Sequence, residues 1–351
     1  MKLAIPRIYL GTMTFAWSQT SSTVDEIVAT EMTKKFMQFN SEIGVDVHYI
    51  DTARIYAGGK TEPMVGAVLK KIDSSHISVG TKAHPSGSLS AEGMKAQLQA
   101  SLDAMGISSL GEYYLHQPDT ETSLLESLKC ADEMVKQGKI QAVGLSNYHC
   151  KEVERAFELC KEHGLTPPSI YQGLYNPLNR IVEDELIPLL HKNGCSFVAY
   201  NPLAAGLLSG KHQTLGQVQK GRFKDNQNYL PRFYTKENFR ALELIRFACD
   251  TEGISMVEAS LRWLLCHSQL KSNDGLLLGA SSLDQIDENL AACKVATQSE
   301  TPLPPAILKA FDECYLLVKD GAFPYWRSYS SDFPNRGNLD QGASYNAAKA
   351  K

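Results

Sequence analysis

The sequence predicts a single (β/α)8 TIM barrel, and three observations carry that prediction. Short strand-like runs alternate with amphipathic helical stretches along most of the 351 residues, the pattern of parallel strands joined by right-handed crossovers. From Asp51 through Lys82, His116, Ser146 and Gln172 to Tyr200, polar residues at strand ends recur every 26–34 residues, the repeat of a βα unit. Eight strand-like runs can be counted, and no Gly-x-Gly-x-x-Gly follows the first, which argues against a doubly wound dinucleotide fold.

The elements follow in order. Residues 8–13 read as the first strand, 26–39 as an amphipathic helix, and 47–51 as a β-branched and aromatic strand ending in Asp51. A short helix over 62–71 precedes the strand 77–82. Over 90–105, Met94, Leu98, Leu102 and Met105 share one helix face, and Gly106 is a stop signal. The strand 113–116 ends in His116. Ser123-Leu-Leu-Glu126 has the spacing of a capping box and opens the next helix, which Gly138 ends. Strand 142–146, helix 152–163, strand 170–172, helix 182–192 and strand 197–200 complete the regular part.

The alternation breaks once, after the seventh strand. A polar segment, 201–237, and helices over 238–252 and 255–266 intervene before the eighth strand, 275–278. Inserted loops of this length in compact domains are usually functional or disordered. Residues 302–318 read as an accessory helix. The expected domain is 1–327, with a Ser-, Asn-, Gly- and Ala-rich tail over 328–351 expected to be mobile.

Composition narrows the function by exclusion. A net charge of −4, with 43% hydrophobic and 21% charged residues, gives no electrostatic reason to expect nucleic acid or anionic membrane as a partner. No apolar run approaches the ~20 residues that span a bilayer. The opening Met-Lys-Leu-Ala-Ile-Pro-Arg lacks a signal peptide's apolar core, so a cytoplasmic location is expected. Eight scattered cysteines without a Cys-x-x-Cys pair read as free thiols, and no metal site is expected.

The chemistry lies at the strand ends. Asp51, Lys82 and His116 each stand at or just past one, and Tyr56 follows Asp51 by five residues. An ammonium beside a phenol lowers its pKa from ~10, and a carboxylate keeps that ammonium charged and oriented. An imidazole can hold a carbonyl oxygen in line. Such a group donates a proton to a developing alkoxide, provided the strand ends converge.

Several motifs extend this reading: Asp51-Thr-Ala-x-x-Tyr56, Thr81-Lys82-Ala, Leu115-His116-x-Pro118-Asp119, Gly144-Leu-Ser-Asn147, Tyr171-Gln172-x-x-Tyr175-Asn176 and Tyr200-Asn-Pro-Leu203. Together they resemble the aldo-keto reductase family, in order from about Gly11 to Arg327. Tyr56-Ala-Gly-Gly-Lys-Thr-Glu62 and Leu278-Gly-Ala-Ser-Ser-Leu-Asp-Gln285 are most similar to its aflatoxin-aldehyde and succinic-semialdehyde reductase branch.

The resemblance implies NADPH-dependent reduction of aldehydes and ketones, with Tyr56 as general acid in a tetrad with Asp51, Lys82 and His116. Ser146, Asn147 and Gln172 would bind the nicotinamide carboxamide and Tyr200 would stack on the ring. Asn201 and Leu203 would also bind the cofactor, and the stretch from Gly206 through Leu208 and Gly210 to Lys211 would cradle the pyrophosphate. Gly279, Ser281, Ser282, Gln285 and Asn289 would receive the adenosine 2′-phosphate at a helix start.

Most of the superfamily carries Lys and Arg in that last stretch. This chain does not, which makes Arg222 the compensating cation. For the substrate, Met13, Tyr229, Arg232 and Arg327 are the candidates, with Trp17 and Trp326 as walls. An arginine fork suits aldehydes bearing a carboxylate. The branch resemblance also implies a homodimer. The alternatives are a nucleotide-binding, non-enzymatic relative acting as a partner or redox sensor, and an unrelated barrel hydrolase. The hydrolase would need a metal cluster or carboxylate pair that the sequence does not present.

Overall fold

A computed structural model describes residues 5–20, 22–212, 214–216, 222–226, 229–298 and 302–343. Eight parallel strands close on themselves: β1 (Arg7–Gly11), β2 (His48–Asp51), β3 (Ile77–Ala83), β4 (Leu110–Leu115), β5 (Ile140–Ser146), β6 (Ile170–Leu174), β7 (Ser196–Tyr200) and β8 (Gly275–Gly279). Each strand pairs with its neighbour in sequence. β8 returns to β1 through Arg7↔Gly275 to Gly11↔Gly279, so no strand edge is left open. This is the (β/α)8 barrel read from the sequence, and every strand C-terminus lies on one face.

The outer ring contains α1 (Glu26–Glu42), α2 (Thr61–Leu69), α3 (Ala91–Met105), α4 (Leu124–Lys136), α5 (Cys150–His163) and α6 (Leu186–Lys192). Local chemistry sets their ends. The Ser90 side chain accepts the Gly93 N–H at the start of α3, and Gly106, at φ 69°, closes it in the left-handed region. Ser123 likewise accepts the Glu126 N–H, but the box is only half formed. The Glu126 carboxylate accepts the Ala91 N–H instead, tying the starts of α3 and α4 together.

The helix expected over 182–192 is shorter than its periodicity suggests. A 3-10 turn at Ile181–Glu183 comes first, and α6 starts at Leu186. Pro188 is the cause, because its ring would clash with the carbonyl four residues earlier. Glu183 is also occupied, by Tyr175 OH at 2.5 Å and by Arg180 Nε at 2.9 Å.

After β7 come the expected insertion and α7 (Leu230–Phe233), α8 (Lys236–Glu252) and α9 (Met256–Cys266), then α10 (Leu283–Gln298) and α11 (Pro305–Val318) past β8. The chain does not leave the barrel at 327. Arg327 N–H donates to Asn147 O and Ser330 N–H to Glu152 Oε1, both at 2.9 Å, while Asp332 accepts the Leu124 N–H and pairs with Arg155. Of the tail, residues 328–343 pack in this way, and 344–351 lie outside the described residues. Among the described residues, no helix is long and apolar enough to cross a membrane.

The barrel interior holds Tyr9, Tyr114, Ile170 and Val198, flanked by Tyr49 and Leu277. Rings of this size fit because glycines face them: a Cβ at Gly144 would lie 2.3 Å from Tyr114 Cδ1. We expect Gly144→Ala to destabilise the fold by about 2 kcal/mol or more through overpacking. Thermal denaturation checks this, and an unchanged midpoint would show that the interior has slack.

Candidate active site

Three strand ends and one turn build the centre. Asp51 closes β2 and Lys82 stands near the end of β3, each only 1% exposed. Lys82 Nζ lies 2.7 Å from both Asp51 oxygens and donates to Thr52 O at 2.7 Å. Gln172, on β6, donates its amide N–H to Asp51 Oδ2 at 2.8 Å. A buried pair of charges survives when hydrogen bonds satisfy its remaining valences, as they do here.

Tyr56 comes from the turn after β2 rather than from a strand. The 3-10 turn Tyr56–Gly59 contains Ala57 at φ 48° and Gly58 at φ 65°, and it holds the half-buried phenol ring over the pair. Lys82 Nζ lies 5.2 Å from the ring centre. The His116 ring meets Tyr56 edge-on at 6.1 Å between centres, and His84 meets His116 edge-on at 5.4 Å. The four residues named from the sequence thus meet at one end of the barrel.

Their charges follow from burial. Burial pulls the Lys82 ammonium below the usual lysine range, and the Asp51 contact opposes this. Burial also drives His116 well below the usual imidazole range, aided by the positive charges of Lys82 and Arg327 and by His84. The His116 ring is therefore neutral near pH 7, and its buried Nδ1 has no hydrogen-bond partner among the described residues. The set can keep a cation beside a phenol and a neutral imidazole beside both, as proton donation to a carbonyl oxygen requires.

A cleft of about 710 Å³ opens over this centre. Asp51, Tyr56 and His116 line it, whereas Lys82 lies beneath. Ser146, Asn147, Gln172 and Tyr200 form its next stretch. Here the bonding is denser than residue type suggested. Asn147, at φ 61°, donates to His116 O at 2.8 Å and to Ser146 Oγ at 2.9 Å, and Tyr200 OH donates to Asn147 Oδ1 at 2.9 Å.

Beyond lie Asn201, Leu203, Gly206 and Lys211 of the loop after β7. Leu208 and Gly210 do not reach the cleft: Leu208 is fully buried, and Gly210 closes the turn at φ 74°. At the far end Gly279, Ser281, Gln285 and Asn289 line the wall. Ser282 instead caps α10, accepting the Gln285 N–H at 3.3 Å.

Met13, Trp17, Arg222, Tyr229 and Arg327 also line the cleft. The Arg222 guanidinium sits between the Trp17 and Tyr229 rings, 5.6 Å and 5.3 Å from their centres, so the insertion reaches across to the β1 loop. Asn226 reinforces that bridge by donating to Gln19 at 2.9 Å. Arg327 donates to Gln117 Oε1 at 3.0 Å.

Two candidates lie elsewhere. Arg232 stacks 3.9 Å over the Phe323 ring and lines a separate cavity of about 110 Å³, because α7 carries its side chain away from the cleft. Trp326 packs edge-on against His149 and bonds Asp340 O rather than walling the cleft.

Sequence reasoning missed the supports. Glu62 is fully buried, accepting Thr81 Oγ1 at 2.7 Å and pairing with Arg54 at 3.0 Å, which braces the turn that carries Tyr56. A carboxylate inside the apolar start of α2 was the available signal. The carbonyl of Thr52 left none, and Gln172, expected at the cofactor, also bonds Asp51 of the pair.

Comparison with known proteins matches residues 7–302 to the Aldo/keto reductase family. The chain is similar to aflatoxin B1 aldehyde reductase member 2 of Rattus norvegicus, 37% identical over 294 residues that cover 79% of each chain. It is 36% identical to human aldo-keto reductase family 7 member A3, over 79% of this chain and 87% of the relative. Oxidoreductase sirO of Leptosphaeria maculans is 32% identical over 91% of this chain and 97% of its own length.

The electrostatics around His116 give a pH test. Because its folded-state pKa is lowered, protonation favours the unfolded chain, so its share of stability is lost as pH falls through the unfolded imidazole's ~6.5. We expect NMR to show the His116 ring neutral from pH 8 to below 6. A ring titrating at its ordinary value would contradict the electrostatic reading of the site.

Proposed function

This chain belongs to the aldo/keto reductase family, and on that premise we propose that it reduces aldehydes and ketones to alcohols with NADPH, Tyr56 supplying the proton. The observation that carries the reading is the convergence of Asp51, Lys82, Tyr56 and His116 at the floor of one continuous cleft. The residues present fit the cofactor. The cleft runs unbroken from Tyr56 to the start of α10, and it offers amide, hydroxyl and aromatic groups near the centre with Lys211 and Arg222 further out.

Ser146, Asn147, Gln172 and Tyr200 would hold the nicotinamide end. Gly206 and Lys211 would hold the pyrophosphate, and Ser281, Gln285 and Asn289 the adenosine end. When bound, the reduced nicotinamide supplies hydride to the carbonyl carbon. The chain's own part is the proton. Lys82, kept in place by both Asp51 oxygens and Thr52 O, presents positive charge to the Tyr56 ring and favours its phenolate. Tyr56 can then release its proton to the carbonyl oxygen as the alkoxide forms. His116, neutral and with Nδ1 unpartnered, orients that oxygen without competing for the proton.

Arg222 supports NADPH over NADH as a cation of the insertion that lines the cleft together with Lys211, although Glu288 also lines it. Arg327 supports aldehydes bearing a carboxylate, since a guanidinium fork pairs well with that group. The relatives' printed names make aflatoxin B1 aldehyde a further substrate to try.

The experiment is a turnover assay of the purified chain with NADPH or NADH. The panel comprises 4-nitrobenzaldehyde, a dicarbonyl, succinic semialdehyde and aflatoxin B1 aldehyde. We expect turnover with NADPH, and a loss of about a hundredfold or more in Tyr56→Phe with cofactor binding retained. Full activity in Tyr56→Phe would remove Tyr56 from its role. Tight NADPH binding without turnover on any carbonyl would favour a non-enzymatic nucleotide-binding protein.

A further inference from the structure

Inside the barrel lies a second carboxylate that the reaction above leaves unused. Glu112, on β4, is 6% exposed, and each of its oxygens accepts a phenol O–H: Oε1 from Tyr9 at 2.8 Å and Oε2 from Tyr114 at 2.6 Å. The interior is cut to admit this cluster. A Cβ at Gly80 would stand 3.1 Å from Glu112 Oε2, and one at Gly275 would stand 2.6 Å from the Tyr9 ring.

The cluster touches the proton-donating centre. Lys82 Nζ lies 5.5 Å from the centre of the Tyr114 ring, against 5.2 Å from that of Tyr56. The strand register places Gly80, the neighbour of Glu112, against Asp51, and Tyr114 against Lys82. Three carboxylates therefore share the field of one buried ammonium, Asp51, Glu112 and Glu62, of which Glu62 is already paired with Arg54.

A core of this kind is costly to build. Burial pushes the Glu112 carboxyl above the usual carboxylate range, while its two phenol donors and Lys82 pull the other way. An apolar side chain would fill the space without that cost. The groups facing Glu112 are Tyr9 and Arg7 of β1, Tyr49 and Asp51 of β2, Lys82 of β3 and Tyr114 of β4 itself. The strands opposite fill the interior with Ile170, Val198 and Leu277.

We infer that Glu112 is a positioning residue for the reduction, a second counter-ion that acts with Asp51 through Lys82 to set the pH range over which Tyr56 can donate. The inference rests on the reductase reading above. Its sign is fixed by charge. Removing one negative charge near Lys82 makes both the ammonium and the phenol easier to deprotonate, so Tyr56 loses its proton at lower pH.

The test is the pH profile of kcat for 4-nitrobenzaldehyde reduction by the full chain. Glu112→Gln keeps the shape and one of the two accepting oxygens but removes the charge. We expect its basic limb to move to lower pH by about half a unit or more, with KM nearly unchanged. Glu112→Asp, which keeps the charge, should hold the limb near that of the wild type. Tyr9→Phe, which also keeps the charge, should likewise hold the limb near that of the wild type, and Glu112→Met, which removes the charge, serves if Glu112→Gln fails to fold.

An unmoved limb in Glu112→Gln, whatever its thermal midpoint, would overturn the inference and leave Glu112 as filling. If the wild type reduces no carbonyl, the reductase reading fails separately. A near-ultraviolet titration of Tyr56, taken as wild type minus Tyr56→Phe, still reads the Glu112 effect: an earlier Tyr56 ionisation in Glu112→Gln supports it and an unchanged one overturns it.

Discussion

The contact between Lys82 and Asp51 is the constraint on which the site depends. Both charges are almost wholly removed from water, and the ammonium touches both carboxylate oxygens at 2.7 Å. Such a pair contributes little to stability, because desolvating two ions offsets most of their attraction. It is held in place by neighbours both adjacent and distant in the chain: the carbonyl of Thr52, the amide of Gln172 and the rings of Tyr56 and Tyr114. A cation fixed in this way cannot drift from the phenol beside it. That fixity is the physical content of the proposed proton transfer.

Barrel closure makes the pair possible. Asp51, Lys82, His116 and Gln172 belong to four different strands or strand ends, and parallel pairing brings those ends to one rim. Tyr56 needs a separate device, a turn with three successive residues, Ala57, Gly58 and Gly59, at positive φ, braced by Glu62 and Arg54. Backbone held in sparsely populated regions at a site is strain maintained by its surroundings. Two segments from elsewhere finish the cleft: the insertion after β7, through Arg222, and the stretch after α11, through Arg327.

Much of this was legible in the sequence because it is periodic or local. The strand ends recur at a near-constant interval, so the barrel and the convergence of Asp51, Lys82 and His116 follow from counting. Helix faces and the Gly106 stop follow from spacing. What escaped depends on partners distant in the chain. Glu126 fits a capping box by type, yet its carboxylate serves Ala91 across a helix gap. Arg232 has the right chemistry for a carboxylate but the wrong side of a short helix. The composition of 328–343 suggests a loose tail, while Ser330 and Asp332 find Glu152 and Arg155 nearly two hundred positions earlier. Glu112 reads as an ordinary strand residue until Tyr9 and Tyr114 are seen to enclose it.

The most direct test of the central claim removes both members of the buried pair together, so that neither Asp51 nor Lys82 faces the other's absence. In an Asp51→Asn/Lys82→Met double variant, single-turnover measurement of carbonyl reduction from preformed cofactor complex isolates chemistry from product release. The account predicts a rate about a thousandfold lower at neutral pH, within the range expected for losing a positioned acid, with NADPH affinity nearly unchanged. A rate within tenfold of the wild type would mean that the phenol needs no cation beside it, and would contradict the account.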